Sequence, residues 1–179
     1  MYKRQEYSWL QGGGSYGGNS AAYQNSANAP SSMRDHDVAT KAVAKLADLK
    51  NQQPFFYGVG FVRPHLPFVA PDEYWDLYDV SDLVAPEMDN EPINGLNYSY
   101  EGWNELRTYG GMPASGPVTA NQEQNLIHGY YACVSFVDAQ VGRLMEALES
   151  EGLASNTIVV VWGDHGYHLG NHGQWCKHS

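Results

Sequence analysis

The chain is poor in cysteine, in basic residues and in long apolar runs. Its only cysteines are Cys133 and Cys176, too few for a disulfide scaffold, so cysteine usage leaves the redox compartment open. Ten Lys and Arg residues against twenty Asp and Glu give a formal net charge of −10 without a basic stripe, which argues against a nucleic-acid partner. No segment is long and apolar enough to span a membrane, and none near Met1 resembles a signal peptide.

What the chain does contain predicts a folded domain. Hydrophobic residues make up 42% and aromatic residues 13% of the sequence, which is typical of a globular protein. Residues 1–34 are rich in Gly, Ser and Tyr and are predicted to be a loop region, whereas residues 35–179 carry the apolar pattern of a domain. The chain ends at Ser179 inside a loop rich in functional residue types, so we expect it to be an internal fragment.

Apolar residues at three- and four-residue steps predict three helices. The first covers about 35–49, with Asp35-His36-Asp37 offering an N-cap, and a short second helix covers 71–78. The third and clearest covers 121–150 and is ended by Gly152 as a C-cap.

Two β-branched or aromatic runs without polar alternation, residues 55–61 and 157–162, predict buried strands. Between them, residues 80–120 are predicted to be an irregular surface excursion. The order helix, strand, helix, strand indicates an α/β sheet with covering helices.

The strongest functional pattern follows the second predicted strand. Asp164 and His165 come directly after it, where open α/β sheets place their ligands, and a Gly- and His-rich loop then leads to Lys177. Four of the seven histidines lie between residues 163 and 178. A carboxylate, an imidazole and a lysine in this order are typical of a metal-assisted site for an anionic ester.

Three segments together give the chain a resemblance to a known family. They are Pro54 to Phe68, which contains Arg63-Pro64-His65-Leu66-Pro67; Tyr130 to Leu144; and Gly163-Asp164-His165-Gly166 with Gly173 to Ser179. In this order they resemble the formylglycine-dependent sulfatase family, and most of all its iduronate-2-sulfatase-like branch. The resemblance covers about residues 35–179 and implies a partial sulfatase catalytic domain with an alkaline-phosphatase-like α/β fold. It implies that the full-length parent hydrolyses organic sulfate esters, with a sulfated sugar as the preferred substrate.

The resemblance also implies roles for four residues. Asp164 and His165 match ligands of one divalent metal, which in this family is usually calcium. His65 matches a histidine that contacts the sulfate ester and can protonate the leaving oxygen, and Lys177 matches a lysine that binds the sulfate group. The imidazole leaves zinc open as an alternative metal, since calcium prefers oxygen ligands.

Further candidates for substrate binding rest on residue type alone. Tyr167 and Trp175 are predicted to line a sugar-binding cleft, although aromatic residues in loops more often pack against the core. Arg63 is predicted to pair with a substrate carboxylate or sulfate, or else with an acidic neighbour. His172 is predicted to contact substrate or to stabilise its loop by hydrogen bonds.

Two features of the family pattern are absent from this sequence. Neither Cys133 nor Cys176 lies in the Cys-x-Pro-x-Arg motif that yields formylglycine, and the paired aspartates that complete the metal site do not occur. We therefore expect the formylglycine in a missing N-terminal part and expect this fragment to be inactive alone. A periplasmic, secreted or lysosomal-type compartment is expected from the family.

Two other functions stay open at the level of sequence. One is a phosphodiesterase or phosphonate monoester hydrolase of the same superfamily, which would have threonine or serine in place of formylglycine. The other is a non-catalytic binding domain. The sequence does not determine the oligomeric state.

Overall fold

The computed structural model describes residues 20–52, 54–86, 93–96 and 103–177. Its helices are α1 (Arg34–Leu49), α2 (Asp72–Trp75), α3 (Asn104–Arg107) and α4 (Ala120–Ser150). Its strands are β1 (Tyr23–Ser26), β2 (Phe68–Pro71), β3 (His168–Leu169) and β4 (Trp175–Cys176). Short 3₁₀ turns lie at Pro30–Ser32, Val80–Asp82, Ala154–Asn156 and Asn171–Gly173.

The long helix α4 is the element against which most of the others pack, and both of its ends are encoded locally. Thr119 accepts a hydrogen bond from the backbone N–H of Gln122, whose side chain accepts one from the backbone N–H of Thr119 in return. At the other end Gly152 has φ 70°, and Leu153 N–H reaches back to the carbonyl of Leu148 at 2.8 Å. The predicted helix 121–150 and its glycine cap are confirmed.

Helix α1 covers the predicted residues but begins differently from the prediction. Its N-cap is Met33, which makes no side-chain capping bond, and Asp35 lies inside the first turn with a buried side chain. The expected N-cap role of Asp35-His36-Asp37 is therefore wrong, because all three residues lie inside the helix, and the Asp35 carboxylate accepts hydrogen bonds from another segment. The inner face of α1 packs on α4, where Leu46 forms a small cluster with three buried residues from the end of α4 and the turn after it, namely Ala147, Leu148 and Leu153.

Part of the predicted N-terminal loop is a strand. Strand β1 pairs in parallel with β2, with Tyr23 opposite Phe68 and Ser26 opposite Pro71. The sequence Tyr-Gln-Asn-Ser shows no alternation of polar and apolar residues. Its pairing with a distant segment, rather than a local sequence pattern, therefore determines this strand. The second predicted helix, 71–78, is confirmed in shortened form as α2.

The main core lies between α4, β2 and the β3–β4 hairpin. Phe68, Leu126 and Phe136 are fully buried at its centre. The aromatic rings of Tyr130 and Tyr167 contact Phe68 edge-on, with centroids 5.6 and 5.7 Å from that of Phe68. In the part of the chain that the structure describes, no helix is long and apolar enough to cross a membrane.

The two predicted buried strands are not strands in this structure. Residues 55–61 are extended, with alternate side chains such as Phe55 and Tyr57 packed on the small cluster, while Phe56 is 97% exposed. Residues 158–162 are apolar and exposed, with Ile158 93% exposed. A strand requires a hydrogen-bonded neighbour, and among the described residues neither segment has one. The apolar pattern of these two segments predicts buried strands, but a segment becomes a buried strand only when neighbouring strands pair with it.

Close packing of α4 on β2 and α2 depends on Gly129. A Cβ atom at this position would lie 2.9 Å from Phe68 Cβ and 2.9 Å from Trp75 Cη2, closer than real Cβ contacts. Because neither neighbour is the flexible end of a side chain, the helix would have to move.

We expect Gly129→Ala to lower the free energy of unfolding by about 1–3 kcal/mol through overpacking. Gly142→Ala is the matched control, since it lies on the same helix with nothing within 4 Å of its Cβ position. It should be neutral or stabilise the chain by up to about 1 kcal/mol, because alanine restricts the unfolded backbone. Urea denaturation followed by circular dichroism measures both. Equal effects of the two variants would contradict the proposed contact.

Candidate functional site

The turn that carries His65 is attached to α1 by one buried carboxylate. Asp35 accepts hydrogen bonds from the backbone N–H groups of Val62 at 3.0 Å and of Arg63 at 2.9 Å. Because the carboxylate is buried, these two donors replace the water that it would otherwise bind. The turn itself contains two cis peptide bonds, Arg63–Pro64 and Leu66–Pro67.

The Arg63 side chain stabilises the same turn from inside. It is 8% exposed, its Nε donates to the carbonyl of Val69 at 2.9 Å, and Nη1 donates to that of His65 at 3.1 Å. An arginine in this position joins the turn to β2 and fixes the backbone beside the imidazole. These two hydrogen bonds give Arg63 a structural role. Its contact with substrate stays a prediction.

The imidazole of His65 has a defined orientation and tautomer. Its Nδ1 lies 2.8 Å from the carbonyl of Leu66, which can only accept, so Nδ1 carries a proton and donates. Its Nε2 lies 2.8 Å from Nζ of Lys177, and an ammonium can only donate. A hydrogen bond from the ammonium to Nε2 requires the neutral tautomer of His65 that carries its proton on Nδ1.

Lys177 is brought to His65 by the β3–β4 hairpin. His168 pairs with Cys176 and Leu169 with Trp175, and Lys177 follows directly. Cys176 has φ 73°, a conformation that residues with a Cβ rarely adopt, and its buried side chain holds the backbone there. Two of the predicted site residues, 112 positions apart in the chain, are therefore in direct contact.

A third member of this cluster, Glu105, is absent from the sequence-based predictions. Its Oε2 lies 3.2 Å from Nζ of Lys177, and its Oε1 lies 3.4 Å from Nε2 of His65. All three side chains are largely buried. Glu105 lies on α3, within the segment predicted to be an irregular excursion, and no spacing or motif distinguishes it from other acidic residues there.

Helix α3 is only one turn long and is held by interactions of Arg107. The guanidinium lies over the ring of Trp103, 3.3 Å from its centroid. It also donates to the carbonyls of Pro113 at 2.8 Å and of Gly116 at 3.0 Å. These contacts fix the short helix, and with it the position of Glu105.

Asp164 and His165 form a separate, exposed pair. Nδ1 of His165 lies 2.7 Å from the carbonyl of Gly166 and donates to it. Nε2 in turn faces Oδ2 of Asp164 at 3.5 Å, and the Asp164 side chain is 87% exposed. Among the described residues no hydrogen bond or ion pair joins this pair to His65, so the expectation that Asp164 and His165 face the same cleft as His65 stays a prediction.

The donor set of this pair fits part of a metal site. Metal-binding histidines commonly donate their second ring nitrogen to a backbone carbonyl, as His165 does, and its other ring nitrogen lies 3.5 Å from the Asp164 carboxylate. Among the described residues no group of three or more His, Cys, Asp and Glu side chains could hold a metal ion. The role of Asp164 and His165 as metal ligands therefore stays a prediction, and it requires further ligands beside this pair.

The aromatic candidates pack in the core. Trp175 is 3% exposed, and the ring of Tyr167 packs between Phe68 and Tyr130, with burial raising the pKa of its hydroxyl. Both side chains therefore pack against the core, which is the more common arrangement for aromatic residues in loops. His172 has φ 54° and lies in the turn between β3 and β4, so its contact with substrate stays a prediction.

Both cysteines are buried thiols. Burial raises the pKa of Cys133 to about 12 and raises that of Cys176, so both are protonated near neutral pH. Cys133 lies on the buried face of α4, and Cys176 receives a hydrogen bond from the hydroxyl of Tyr167 at 3.5 Å. Neither thiol is positioned as a nucleophile.

Comparison with known proteins gives a consistent result. The Sulfatase family model matches residues 1–179. The chain is 36% identical over 148 residues to a sulfatase of Formosa agariphila and 35% identical over 156 residues to iduronate 2-sulfatase of Homo sapiens. Both alignments cover 82% of this chain and 28% of the relative, so the chain spans less than a third of their length.

A solved structure is also similar. The yidJ protein of Bacteroides fragilis, described as a sulfatase, matches with a TM-score of 0.56 and 32% identity over 77% of this chain and 26% of its own. This likeness assigns the chain to the alkaline-phosphatase-like α/β fold. The described residues form part of such a domain.

We expect Asp35→Asn to lower the free energy of unfolding by about 2 kcal/mol, because the two backbone N–H groups bind separate carboxylate oxygens and asparagine replaces one of these with an NH2 donor. Asp37→Asn is the matched control: it lies in the same first turn, and its ion pair with Lys41 is exposed. The control should cost less than about 1 kcal/mol. Chemical denaturation of the two variants makes the comparison, and an equal loss would assign the effect to the helix terminus rather than to the turn.

Proposed function

Since the chain belongs to the sulfatase family, we propose that it forms part of an enzyme that hydrolyses organic sulfate esters. The observation that supports this most strongly is the contact of His65 with Lys177, because it combines a proton carrier and a fixed cation at one point. Relatives that share this part of the chain include an iduronate 2-sulfatase, so we propose a sulfated sugar as the substrate.

Each of the two residues has a chemical task in this proposal. The Lys177 ammonium binds a sulfate oxygen and stabilises the negative charge that develops as the ester bond breaks. His65 presents Nε2 toward the same point, and once this nitrogen carries a proton it protonates the leaving oxygen. The hydrogen bond from Nδ1 to Leu66 keeps the ring in that orientation throughout.

Members of the family generally use a divalent metal and a formylglycine. We propose that Asp164 and His165 hold the metal, calcium in the first instance, with zinc as the alternative because one ligand is an imidazole. When bound, the metal would withdraw charge from the sulfate oxygens, and the formylglycine of another segment would supply the nucleophile. A compartment outside the cytoplasm is proposed from the family.

The 179-residue chain by itself should not turn over 4-nitrophenyl sulfate. Neither cysteine lies in the formylglycine motif and both thiols are buried, so the covalent route has no nucleophile. Release of nitrophenol, followed by its absorbance, measures this. Turnover that persists after Cys133→Ala and Cys176→Ala are combined would show that the chemistry has been wrongly assigned.

In the full-length enzyme, His65→Ala and Lys177→Ala should each lower kcat/KM for a sulfated sugar by far more than tenfold. A preorganised donor such as Lys177 contributes about 2.7–4 kcal/mol, and general-acid catalysis contributes about 10²–10⁴-fold. On 4-nitrophenyl sulfate the His65 defect should shrink, because nitrophenolate leaves without a proton, while the Lys177 defect should persist.

Lys45→Ala serves as a control for the loss of a cation, since Lys45 is exposed on α1 and pairs with Asp48. Its kcat/KM should equal that of the wild type on both substrates. If the His65→Ala and Lys177→Ala defects are equal on the two esters, His65 is a sulfate ligand and not a general acid.

A further inference from the structure

We propose that Glu105 is a positioning residue, which orients the Lys177 ammonium and supplies the counter-charge that allows His65 to carry a proton beside it. This inference rests on the proposed function, since it assigns a task to the same site. It is based on the contacts of three largely buried side chains from different parts of the chain.

The first step is the use of the three N–H donors of Lys177. One points to Nε2 of His65 at 2.8 Å and one to Oε2 of Glu105 at 3.2 Å. Two acceptors on different elements fix the ammonium in one place and leave the third N–H for an anionic oxygen. A lysine without these partners would distribute its charge over many rotamers, because its side chain has four rotatable bonds.

The second step is the charge balance of the cluster. In the arrangement observed, Lys177 and Glu105 cancel and His65 is neutral. Before His65 can act as an acid, its Nε2 must take up a proton, which places a second cation at hydrogen-bonding distance from the ammonium. Oε1 of Glu105 lies 3.4 Å from this nitrogen, so the carboxylate faces both cations and reduces their repulsion.

The third step is the cost of this arrangement to substrate binding. A carboxylate beside the sulfate-binding lysine repels the sulfate that Lys177 attracts. Glu105 therefore weakens anion binding while it promotes proton transfer, and its removal should change the two properties in opposite directions. A residue that only stabilised the local structure would impair both together.

The decisive variant is Glu105→Gln in the full-length enzyme, because glutamine keeps the size and the hydrogen-bond acceptor but has no charge. The inhibition constant of inorganic sulfate should fall about threefold, since a repulsive charge is lost. The kcat for phenyl sulfate should fall at least about tenfold, because phenolate needs a proton to leave. The kcat for 4-nitrophenyl sulfate should change by less than about twofold, since its leaving group needs little protonation.

Two further variants make the result specific. Glu149→Gln is the matched control, because it makes the same change on the exposed side of α4, and it should alter none of the three constants. Glu105→Asp keeps the charge on a shorter side chain, so its kcat for phenyl sulfate should be higher than that of Glu105→Gln. Circular dichroism confirms that each variant is folded.

The inference is overturned if Glu105→Gln weakens sulfate inhibition, or if it lowers kcat equally on the two esters. The 179-residue chain gives an independent measurement, because sulfate binding to it can be followed by calorimetry without turnover. Tighter binding by its Glu105→Gln variant supports the role of Glu105, and weaker or equal binding opposes it. A full-length enzyme that hydrolyses no sulfate ester would instead contradict the proposed function, so the two failures are distinguishable.

Discussion

The buried carboxylate of Asp35 determines how the first half of this structure is assembled. It is placed in the first turn of a helix, yet its two acceptor positions bind the amides of a turn 27 and 28 residues further along the chain. Removing such a carboxylate from water is unfavourable unless its oxygens are fully used, so the helix and the turn cannot separate without a large loss. His65 within this turn and β2 directly after it are therefore held close to α1.

The cluster of His65, Glu105 and Lys177 solves a problem that the overall charge creates. With a formal net charge of −10, this chain repels an anion such as the proposed sulfate ester at long range. Attraction must therefore come from a cation that is close, oriented and partly removed from water, where its field is least screened. The cost is that the cation needs its own partners, and these are an imidazole and a carboxylate from distant segments.

The parts of this structure that the sequence predicts are those determined within a few residues. Helix α4 follows from its apolar spacing, its Thr119 capping box and Gly152, all of which are local. The strands were predicted wrongly because pairing depends on distant partners: Tyr23–Ser26 is a strand without a strand pattern, and 157–162 has the pattern without a partner. The family resemblance predicts His65 and Lys177 as site residues, whereas Glu105 becomes a candidate only through its contacts with them.

The exposed segment from Ile158 to Trp162 has a practical consequence for work with the isolated chain. It presents five consecutive apolar residues without charge or proline, and no described strand pairs with them. Segments of this composition add readily to other extended chains, including copies of themselves. Self-association by edge-to-edge addition is therefore a hazard in handling the isolated chain, and it should increase with protein concentration.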